Sequence, residues 1–263
     1  MELGLRGKVA VIAAGSKGLG RAVAEELAAE GALIVLCARG EEALRAAGDG
    51  IRKRLGTKVY TVQADVGKPG EPERVVDEAL AQFGKVDILL TNSGGPPAGP
   101  FESLAPEAWD ESIRLVLGSV VAFCRAVVPG MKERRWGRIL NVSSIAAKQP
   151  VDNLMLSNSI RAAVIGFART LANEVAPFGI TVNNLLPGFT RTDRMVELSE
   201  VTAKKEGITP EAALSRYTAQ VPMGRMGEPK EFAALAAFLA SDRASYITAQ
   251  SIAVDGGWVR SLL

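Results

Sequence analysis

The chain has 263 residues, 48% apolar and 23% charged, and its net charge of +2 gives no case for nucleic acid as the main partner. The sequence contains no histidine, which excludes histidine acid–base catalysis, Ser-His-Asp triads and most zinc sites, so no metal centre is expected. Two isolated cysteines and the lack of an apolar run of roughly 18 residues predict a soluble, cytoplasmic protein with no disulfide scaffold and no membrane contact.

Short apolar runs alternate with helical patterns along the chain. The predicted strands cover residues 8–14, 32–38, 58–65, 86–92, 137–144, 179–188 and 251–257. The predicted helices cover residues 19–27, 41–55, 71–83, 106–132, 155–176 and 229–241. Buried strands separated by helices are typical of a parallel sheet with both faces covered. The sequence therefore predicts one α/β domain over residues 1–263, with a doubly wound, seven-stranded parallel sheet and helices on both faces.

The least regular part of the sequence is the polar stretch over residues 190–228. Its turn-forming residues are Gly207, Pro210, Pro222, Gly224 and Gly227. Long segments of this kind between secondary-structure elements often cover a binding site. We therefore expect an irregular, lid-like segment there.

The stretch "AAGSKGLG", residues 13–20, joins the first predicted strand to the first predicted helix. Its glycines, Gly15, Gly18 and Gly20, let the backbone turn sharply and approach a ligand closely. The helix N-terminus behind them offers free N–H groups and a positive dipole end, which suit a pyrophosphate. A tight glycine turn with no ligand is the alternative.

Two basic residues indicate which dinucleotide would bind. After the second strand, dinucleotide-binding folds carry an acidic residue that holds the ribose hydroxyls, or a basic residue that accommodates a 2′-phosphate. Here that position is Arg39, and Lys17 lies inside the glycine loop. The pair favours NADP over NAD, and the alternative for either residue is a plain surface charge.

Five further stretches resemble motifs of one family. They are Asp65–Val66, "TNSGG" (91–95), "NVSS" (141–144), "LLPGFTRTD" (185–193) and "ITAQSIAVDGG" (247–257). Over essentially its whole length the chain resembles the short-chain dehydrogenase/reductase family, and it is most similar to the 3-oxoacyl-acyl-carrier-protein reductase branch. The resemblance implies a single-domain Rossmann fold, a bound NADP and a small-molecule carbonyl or alcohol substrate.

The resemblance also implies the cofactor contacts and the assembly. Thr192 would hold the nicotinamide carboxamide. With the residues inferred from the glycine loop, from the two cations and from the charge that arginine keeps, the full set of expected cofactor contacts is Gly15, Ser16, Lys17, Gly18, Leu19, Gly20, Arg39, Asp65, Val66, Asn92, Ser93, Gly94, Arg161, Pro187, Gly188 and Thr192. The family further implies a homotetramer of D2 symmetry that pairs helices near 106–132 and 155–176, and the last strand with the tail 256–263.

The sequence departs from the family pattern in the cofactor loop and at the positions of the family's catalytic residues. Two alanines at 13–14 replace the first two residues of the family's T-G-x-x-x-G-x-G loop. The family's catalytic helix reads Y-x-x-x-K, with the tyrosine thirteen residues after the catalytic serine; counted from Ser144, the tyrosine position is Ser157 and the lysine position is Arg161. The asparagine expected in the fourth helix is Val116. The chain thus resembles a subgroup with imperfect catalytic motifs.

Serine and arginine do not reproduce the proton transfer of tyrosine and lysine. A phenol starts at a pKa of about 10 and is lowered by a neighbouring ammonium, whereas a serine hydroxyl is far less acidic and shorter. Arginine keeps its charge but gives up no proton. Tyr217 and Lys148 are the other candidate donors, with packing of Tyr217 and a surface position of Lys148 as alternatives. For Ser144 the alternative is a strand-end cap.

Two functions remain open. The first is an NADP-dependent, 3-oxoacyl-acyl-carrier-protein reductase-like oxidoreductase that interconverts a carbonyl and an alcohol with an altered proton relay. The second is an NADP(H)-binding protein without turnover, such as a sensor or a partner subunit. Ser144, the Pro-Gly motif and the polar lid favour the enzyme.

Overall fold

A seven-stranded parallel sheet forms the centre of the protein, whose computed structural model describes residues 2–262. The strands are β1 (Val9–Ala13), β2 (Leu33–Ala38), β3 (Val59–Gln63), β4 (Ile88–Thr91), β5 (Gly137–Val142), β6 (Ile180–Pro187) and β7 (Ser251–Val254). Their order is β3-β2-β1-β4-β5-β6-β7, with parallel pairing throughout the described sheet. The predicted doubly wound, single-domain fold is confirmed, and each strand is shorter than the apolar run that predicted it.

Helices cover both faces of the sheet. They are α1 (Gly18–Ala29), α2 (Glu41–Leu55), α3 (Glu71–Phe83), α4 (Pro106–Ser112), α5 (Ser119–Arg134), α6 (Met155–Val175), α7 (Asp193–Glu206), α8 (Pro210–Ala219) and α9 (Pro229–Ala240). Neighbouring side chains of a strand point to opposite faces. Val11 of β1 therefore packs in the core with α3, α5 and α6, whereas Ile12 packs in the core with α1, α2 and α9.

The helix predicted over 106–132 is interrupted by a π-helical stretch, Ile113–Gly118, between α4 and α5. By length and composition alone, the run Pro106–Arg134 is long and apolar enough to cross a membrane. The core helix of a globular protein meets the same criterion, and here Val116 and Val127 are buried against the sheet. Val116 stands at the position where the family has an asparagine. One face of the run stays uncovered, since only 33% of its most apolar 18-residue stretch is buried.

The segment 190–228, predicted to be irregular, contains the helices α7 and α8, which pack against each other. The apparent loop signals are helix boundaries: Gly207 follows the end of α7 in the left-handed conformation, and Pro210 opens α8. Thr209 Oγ1 caps α8 by accepting a hydrogen bond from the Ala212 N–H, at 3.2 Å. The prediction of an irregular segment is wrong because glycine and proline mark helix ends as well as loops.

The turn from β1 into α1 is tightly packed and strained. A Cβ on Gly20 would lie 2.4 Å from the Ala14 carbonyl oxygen, and a Cβ on Gly15 would lie 2.7 Å from Leu36 Cδ2. Ala14 itself has a φ of +50°, in the left-handed region that favours glycine. The alanine at the first glycine position of the motif therefore costs conformational energy.

We expect Ala14→Gly to raise the free energy of unfolding by about 0.5–1 kcal/mol, because glycine removes a left-handed penalty that its greater unfolded-state entropy only partly offsets. The matched control is Ala13→Gly at the buried end of β1, which should be destabilising because glycine weakens a strand. Urea unfolding measures both variants. A loss of stability in Ala14→Gly as large as that of Ala13→Gly would contradict the assigned strain.

Candidate active site

A cavity of about 640 Å³ lies at the carboxyl edge of the sheet, between the strand ends and α7. The predicted site residues that line it are Ser16, Lys17, Gly18, Leu19, Arg39, Asp65, Val66, Asn92, Ser93, Gly94, Ser144, Ser157, Arg161, Pro187, Gly188 and Thr192. Gly15 and Gly20 instead lie within the turn below it, where close packing leaves no room for a side chain. The fold thus joins the glycine loop, five further strand ends and α6 around one space.

The glycine-loop end of the cavity carries two basic residues. Lys17 is the extended N-cap residue of α1, and no side chain in residues 2–262 caps this helix end, so its first N–H groups are available to a ligand. Lys17 Nζ lies 3.9 Å from Asp193 Oδ2 at the start of α7. Arg39 Nη2 lies 4.0 Å from the point that a Cβ on Gly94 would occupy. Positive charge therefore borders the cavity from the ends of both β1 and β2.

Ser144 both caps a turn and lines the cavity. It follows β5 and precedes a short 3₁₀ turn, Ile145–Ala147. Its Oγ accepts a hydrogen bond from the Ala146 N–H at 3.1 Å. Accepting this bond uses an oxygen lone pair and leaves the hydroxyl hydrogen free to donate. The cap and the active-site roles are therefore compatible.

Ser157 and Arg161 lie one turn apart on α6, and both are buried and line the cavity. Nη1 of Arg161 donates to the carbonyl oxygens of Val142, at 3.1 Å, and Ser143, at 2.8 Å. Burial and repulsion from Arg194 lower the pKa of the Arg161 guanidinium to about 10. Within residues 2–262 no carboxylate forms an ion pair with it. Arg161 is thus a fixed, desolvated positive charge in the wall of the cavity.

The two alternative proton donors lie outside the cavity. Lys148 is exposed and follows the 3₁₀ turn after Ser144. Tyr217 lies on α8, where its hydroxyl forms a 2.9 Å hydrogen bond with Thr202 Oγ1 and its ring centroid lies 5.1 Å from that of Phe189. These contacts hold Tyr217 between α8 and α7. The structure therefore does not bring Lys148 or Tyr217 to the serines and arginine of the candidate site.

Sequence reasoning missed Arg194 in the first turn of α7, which also lines the cavity. Its Nη2 lies 3.6 Å from the point that a Cβ on Gly95 would occupy, so the side chain reaches from α7 to the loop after β4. Its Nη1 lies 3.4 Å from Glu197 Oε2. The available signal was its place two residues after Thr192, an expected cofactor contact.

Comparison with known proteins agrees with this architecture. A family model described as enoyl-(acyl carrier protein) reductase matches residues 13–259. The chain is 36% identical to 3-oxoacyl-[acyl-carrier-protein] reductase FabG of Escherichia coli K12 over 255 residues, which cover 97% of this chain and 98% of the relative. It is also 36% identical to a putative ketoacyl reductase of monensin polyketide synthase from Streptomyces virginiae over 252 residues, 95% of this chain and 96% of the relative.

Solved structures resemble this one along the whole chain. L-sorbose reductase from Gluconobacter frateurii, complexed with NADPH and L-sorbose, matches with a TM-score of 0.95 and 35% identity, and 100% of both chains is covered. An actinorhodin polyketide ketoreductase with NADPH matches with a TM-score of 0.93 and 33% identity, over 97% of this chain and 98% of the other.

These matches establish the class of the protein. The chain belongs to the short-chain dehydrogenase/reductase family, as the motif resemblance implied, and it is an oxidoreductase by that membership. Its relatives include 3-oxoacyl-acyl-carrier-protein reductases and polyketide ketoreductases.

We expect Tyr217→Phe to lower the free energy of unfolding by about 0.5–1.5 kcal/mol, the usual worth of one hydrogen bond, without changing turnover or cofactor affinity. Thr202→Val removes the other partner, and the double variant should cost less than the sum of the single changes because they break the same bond. Urea unfolding and steady-state kinetics measure the two effects. A roughly hundredfold fall in kcat for Tyr217→Phe would instead identify Tyr217 as a proton donor.

Proposed function

We propose that the protein is an NADP-dependent oxidoreductase that interconverts a carbonyl and an alcohol without the tyrosine–lysine proton relay. The observation that carries the proposal is the convergence of the glycine loop, the loops after β2 to β5, and Ser157 and Arg161 of α6 on one cavity. A cavity that holds a dinucleotide and a small molecule side by side gives hydride transfer the proximity it requires. Two similar solved structures contain NADPH, which supports this cofactor.

The residues at the glycine-loop end fit NADP. The uncapped N-terminus of α1 suits a pyrophosphate, and Gly18, with a φ of +54°, turns the backbone toward it. Lys17 and Arg39 would pair with the 2′-phosphate, which NAD lacks. Asp65–Val66 would contact the adenine. When bound, the nicotinamide supplies or takes up the hydride.

The other end of the cavity fits the nicotinamide and its ribose. Thr192 would hydrogen-bond the carboxamide. Arg161 would donate to the ribose hydroxyls from the N–H groups that the Val142 and Ser143 carbonyls do not use. Because these two carbonyls fix Nη1, the planar guanidinium is already oriented, and less entropy is lost when it binds the ribose.

Ser144 would orient the reacting oxygen and pass a proton to it. The Ser144 hydroxyl is free to donate to a substrate carbonyl, since its oxygen already accepts from Ala146. A serine hydroxyl does not ionise near neutral pH, so Ser144 can pass a proton along a hydrogen-bonded chain but cannot be its source. We infer that the proton comes from water at the mouth of the cavity.

The second candidate is an NADP(H)-binding protein without turnover, and the serine and arginine at the tyrosine and lysine positions favour it. Loss of a general acid costs about 10²–10⁴ in rate. Orientation of cofactor and substrate acts independently of that acid and still supports hydride transfer. An enzyme with slow turnover is therefore the preferred function.

We also propose a cytoplasmic homotetramer, as the family suggests. The uncovered face of the α4–α5 run exposes Ile113 and half-exposes Val121, and the outer face of α6 presents the small residues Ala162 and Gly166. Such faces allow close helix packing between subunits. Trp258 of the C-terminal tail already packs on Phe189 of its own chain, at 5.8 Å between centroids, so the tail is partly covered without a partner.

We expect NADPH to bind at least about tenfold more tightly than NADH, because a charge-assisted contact to the 2′-phosphate is worth about 1.5–3 kcal/mol. Arg39→Asp should abolish this preference. Arg45→Asp, an exposed charge reversal on α2 that does not line the cavity, is the control. Fluorescence titration measures the dissociation constants of both cofactors, and equal affinities for NADPH and NADH in the unaltered protein would refute the assignment.

We expect Ser157→Ala to leave reductase activity nearly unchanged, and Arg161→Ala to weaken NADPH binding by about 1–3 kcal/mol through loss of a charge-assisted contact. Arg45→Ala, at an exposed arginine of α2 that does not line the cavity, is the control. The pair Ser157→Tyr with Arg161→Lys should raise turnover of 3-oxoacyl or diketone substrates, because it restores an ionisable phenol.

Steady-state kinetics and cofactor titration together test this division of roles. A fall in kcat of about a hundredfold or more in Ser157→Ala, with NADPH affinity intact, would make Ser157 part of the chemistry. Unchanged NADPH affinity in Arg161→Ala would remove the ribose contact.

We expect light scattering at micromolar concentration to return four times the chain mass of 27.7 kDa. Val121→Glu should dissociate the assembly, because it buries an unpaired charge between packed helices. A mass of one chain in the unaltered protein would overturn the proposed tetramer.

A further inference from the structure

Two arginines line the cavity, one from α6 and one from the first turn of α7. Arg161 is buried in α6, and Arg194 reaches from α7 to within 3.6 Å of the Cβ position of Gly95. Burial lowers the pKa of the Arg161 guanidinium, and repulsion from Arg194 lowers it further. Glu197 is the acidic neighbour of Arg194, at 3.4 Å, and it is mostly exposed.

The charges around the cavity do not balance. The basic residues that line it are Lys17, Arg39, Arg161 and Arg194. The acidic residues that line it, in the described part of the chain, are Asp65 and Asp193. Asp193 already pairs with Lys17, and Asp65 Oδ1 accepts from the Gly67 N–H at 3.1 Å. The Arg161–Arg194 pair is left facing the cavity with no buried anion.

The proposed binding mode assigns no anionic group of the cofactor to Arg194. The cofactor's 2′-phosphate would meet Lys17 and Arg39, its pyrophosphate the N-terminus of α1, and its nicotinamide ribose carries no charge. Arg194 is not one of the expected cofactor contacts. Its neighbours in the lining are Gly95 and Pro96 from the loop after β4, and Leu198 on its own helix. A carboxylate on a short carbon chain would meet Arg194 with its charge and these apolar groups with its chain.

We propose that the substrate is an oxo acid whose carboxylate is bound by Arg194, with Arg161 adding positive potential. The reaction in this inference rests on the proposed function, whereas the carboxylate-binding site does not. A guanidinium and a carboxylate match in geometry and can form two parallel hydrogen bonds. Reduction adds a hydride to the carbonyl carbon and a proton to its oxygen, so NADPH is oxidised, the oxo acid becomes a hydroxy acid, and the carboxylate is unchanged.

The first arm of the test compares acids with their methyl esters at saturating NADPH. The probes are pyruvate, acetoacetate and levulinate, which place the carboxylate at increasing distances from the carbonyl, each beside its methyl ester. We expect kcat/KM for at least one acid to exceed that of its ester by about tenfold or more. Arg194→Gln should lower this ratio by about tenfold. Arg194→Lys should lower it by less, since lysine keeps the charge but cannot form two parallel hydrogen bonds to a carboxylate.

The second arm needs no turnover. Calorimetry measures the binding of 3-hydroxybutyrate and its methyl ester to the protein–NADPH complex, in which no hydride acceptor is present. We expect the acid to bind more tightly than the ester, and Arg194→Gln to remove the difference. The matched control is Arg191→Gln, an exposed arginine three residues earlier that pairs with Glu228 and does not line the cavity. It should leave the acid-to-ester ratio intact.

The outcomes separate this inference from the proposed function. Acid binding that depends on Arg194 without turnover would support the carboxylate site and contradict the enzyme. Turnover of ketones with equal acid and ester values, unaffected by Arg194→Gln, would support the enzyme and overturn the site. A tenfold loss of NADPH affinity in Arg194→Gln with no change in the acid-to-ester ratio would assign Arg194 to the cofactor and likewise overturn it. Failure of every acid in both arms would do the same.

Discussion

The reversal of strand order beside β1 is the constraint on which the candidate site depends. β1 pairs with β2 on one side and with β4 on the other, and the helix that follows β1 and the helices that follow β4 cover opposite faces of the sheet. The loops that leave β1 and β4 therefore diverge and open a crevice at their carboxyl ends. The glycine loop and Arg39 enter it from one side, and Gly94, Ser144 and Arg161 from the other.

Within this crevice the buried guanidinium of Arg161 determines what chemistry the site can do. A lysine in its place could approach a neutral state when desolvated, but arginine retains its charge even though burial lowers its pKa. Two main-chain carbonyls at the end of β5 hold it in one orientation. It can therefore bind hydroxyls and attract anions, but it cannot take part in a proton relay with Ser157. The proposed proton path through water and the carboxylate site at Arg194 both follow from this fixed charge.

Much of the fold could be predicted from the sequence because its signals are local. Buried parallel strands are short apolar runs, and the motif after each strand places its residues at one sheet edge. The helices α7 and α8 were missed because Gly207 and Pro210 carry the same signal at a helix boundary as in a loop. The strain at Ala14 depends on a φ of +50° that only the packed turn imposes.

The sequence does not predict the tertiary contacts of single side chains. Tyr217 is held by Thr202 and Phe189, which lie 15 and 28 positions before it in the chain, so no local pattern predicts that it lies outside the cavity. Arg194 belongs to no family motif that the sequence displays, and its approach to Gly95 arises only when α7 folds over the strand ends.

The central claim is that this cavity binds NADPH with Arg161 on the nicotinamide ribose, in the absence of the tyrosine–lysine pair. A crystal structure of the protein with NADPH tests it most directly. The account predicts the 2′-phosphate between Lys17 and Arg39, and the ribose hydroxyls within about 3 Å of the Arg161 guanidinium nitrogens, as hydrogen bonds require. A ribose that lies away from Arg161, or a cofactor bound elsewhere on the protein, would contradict it.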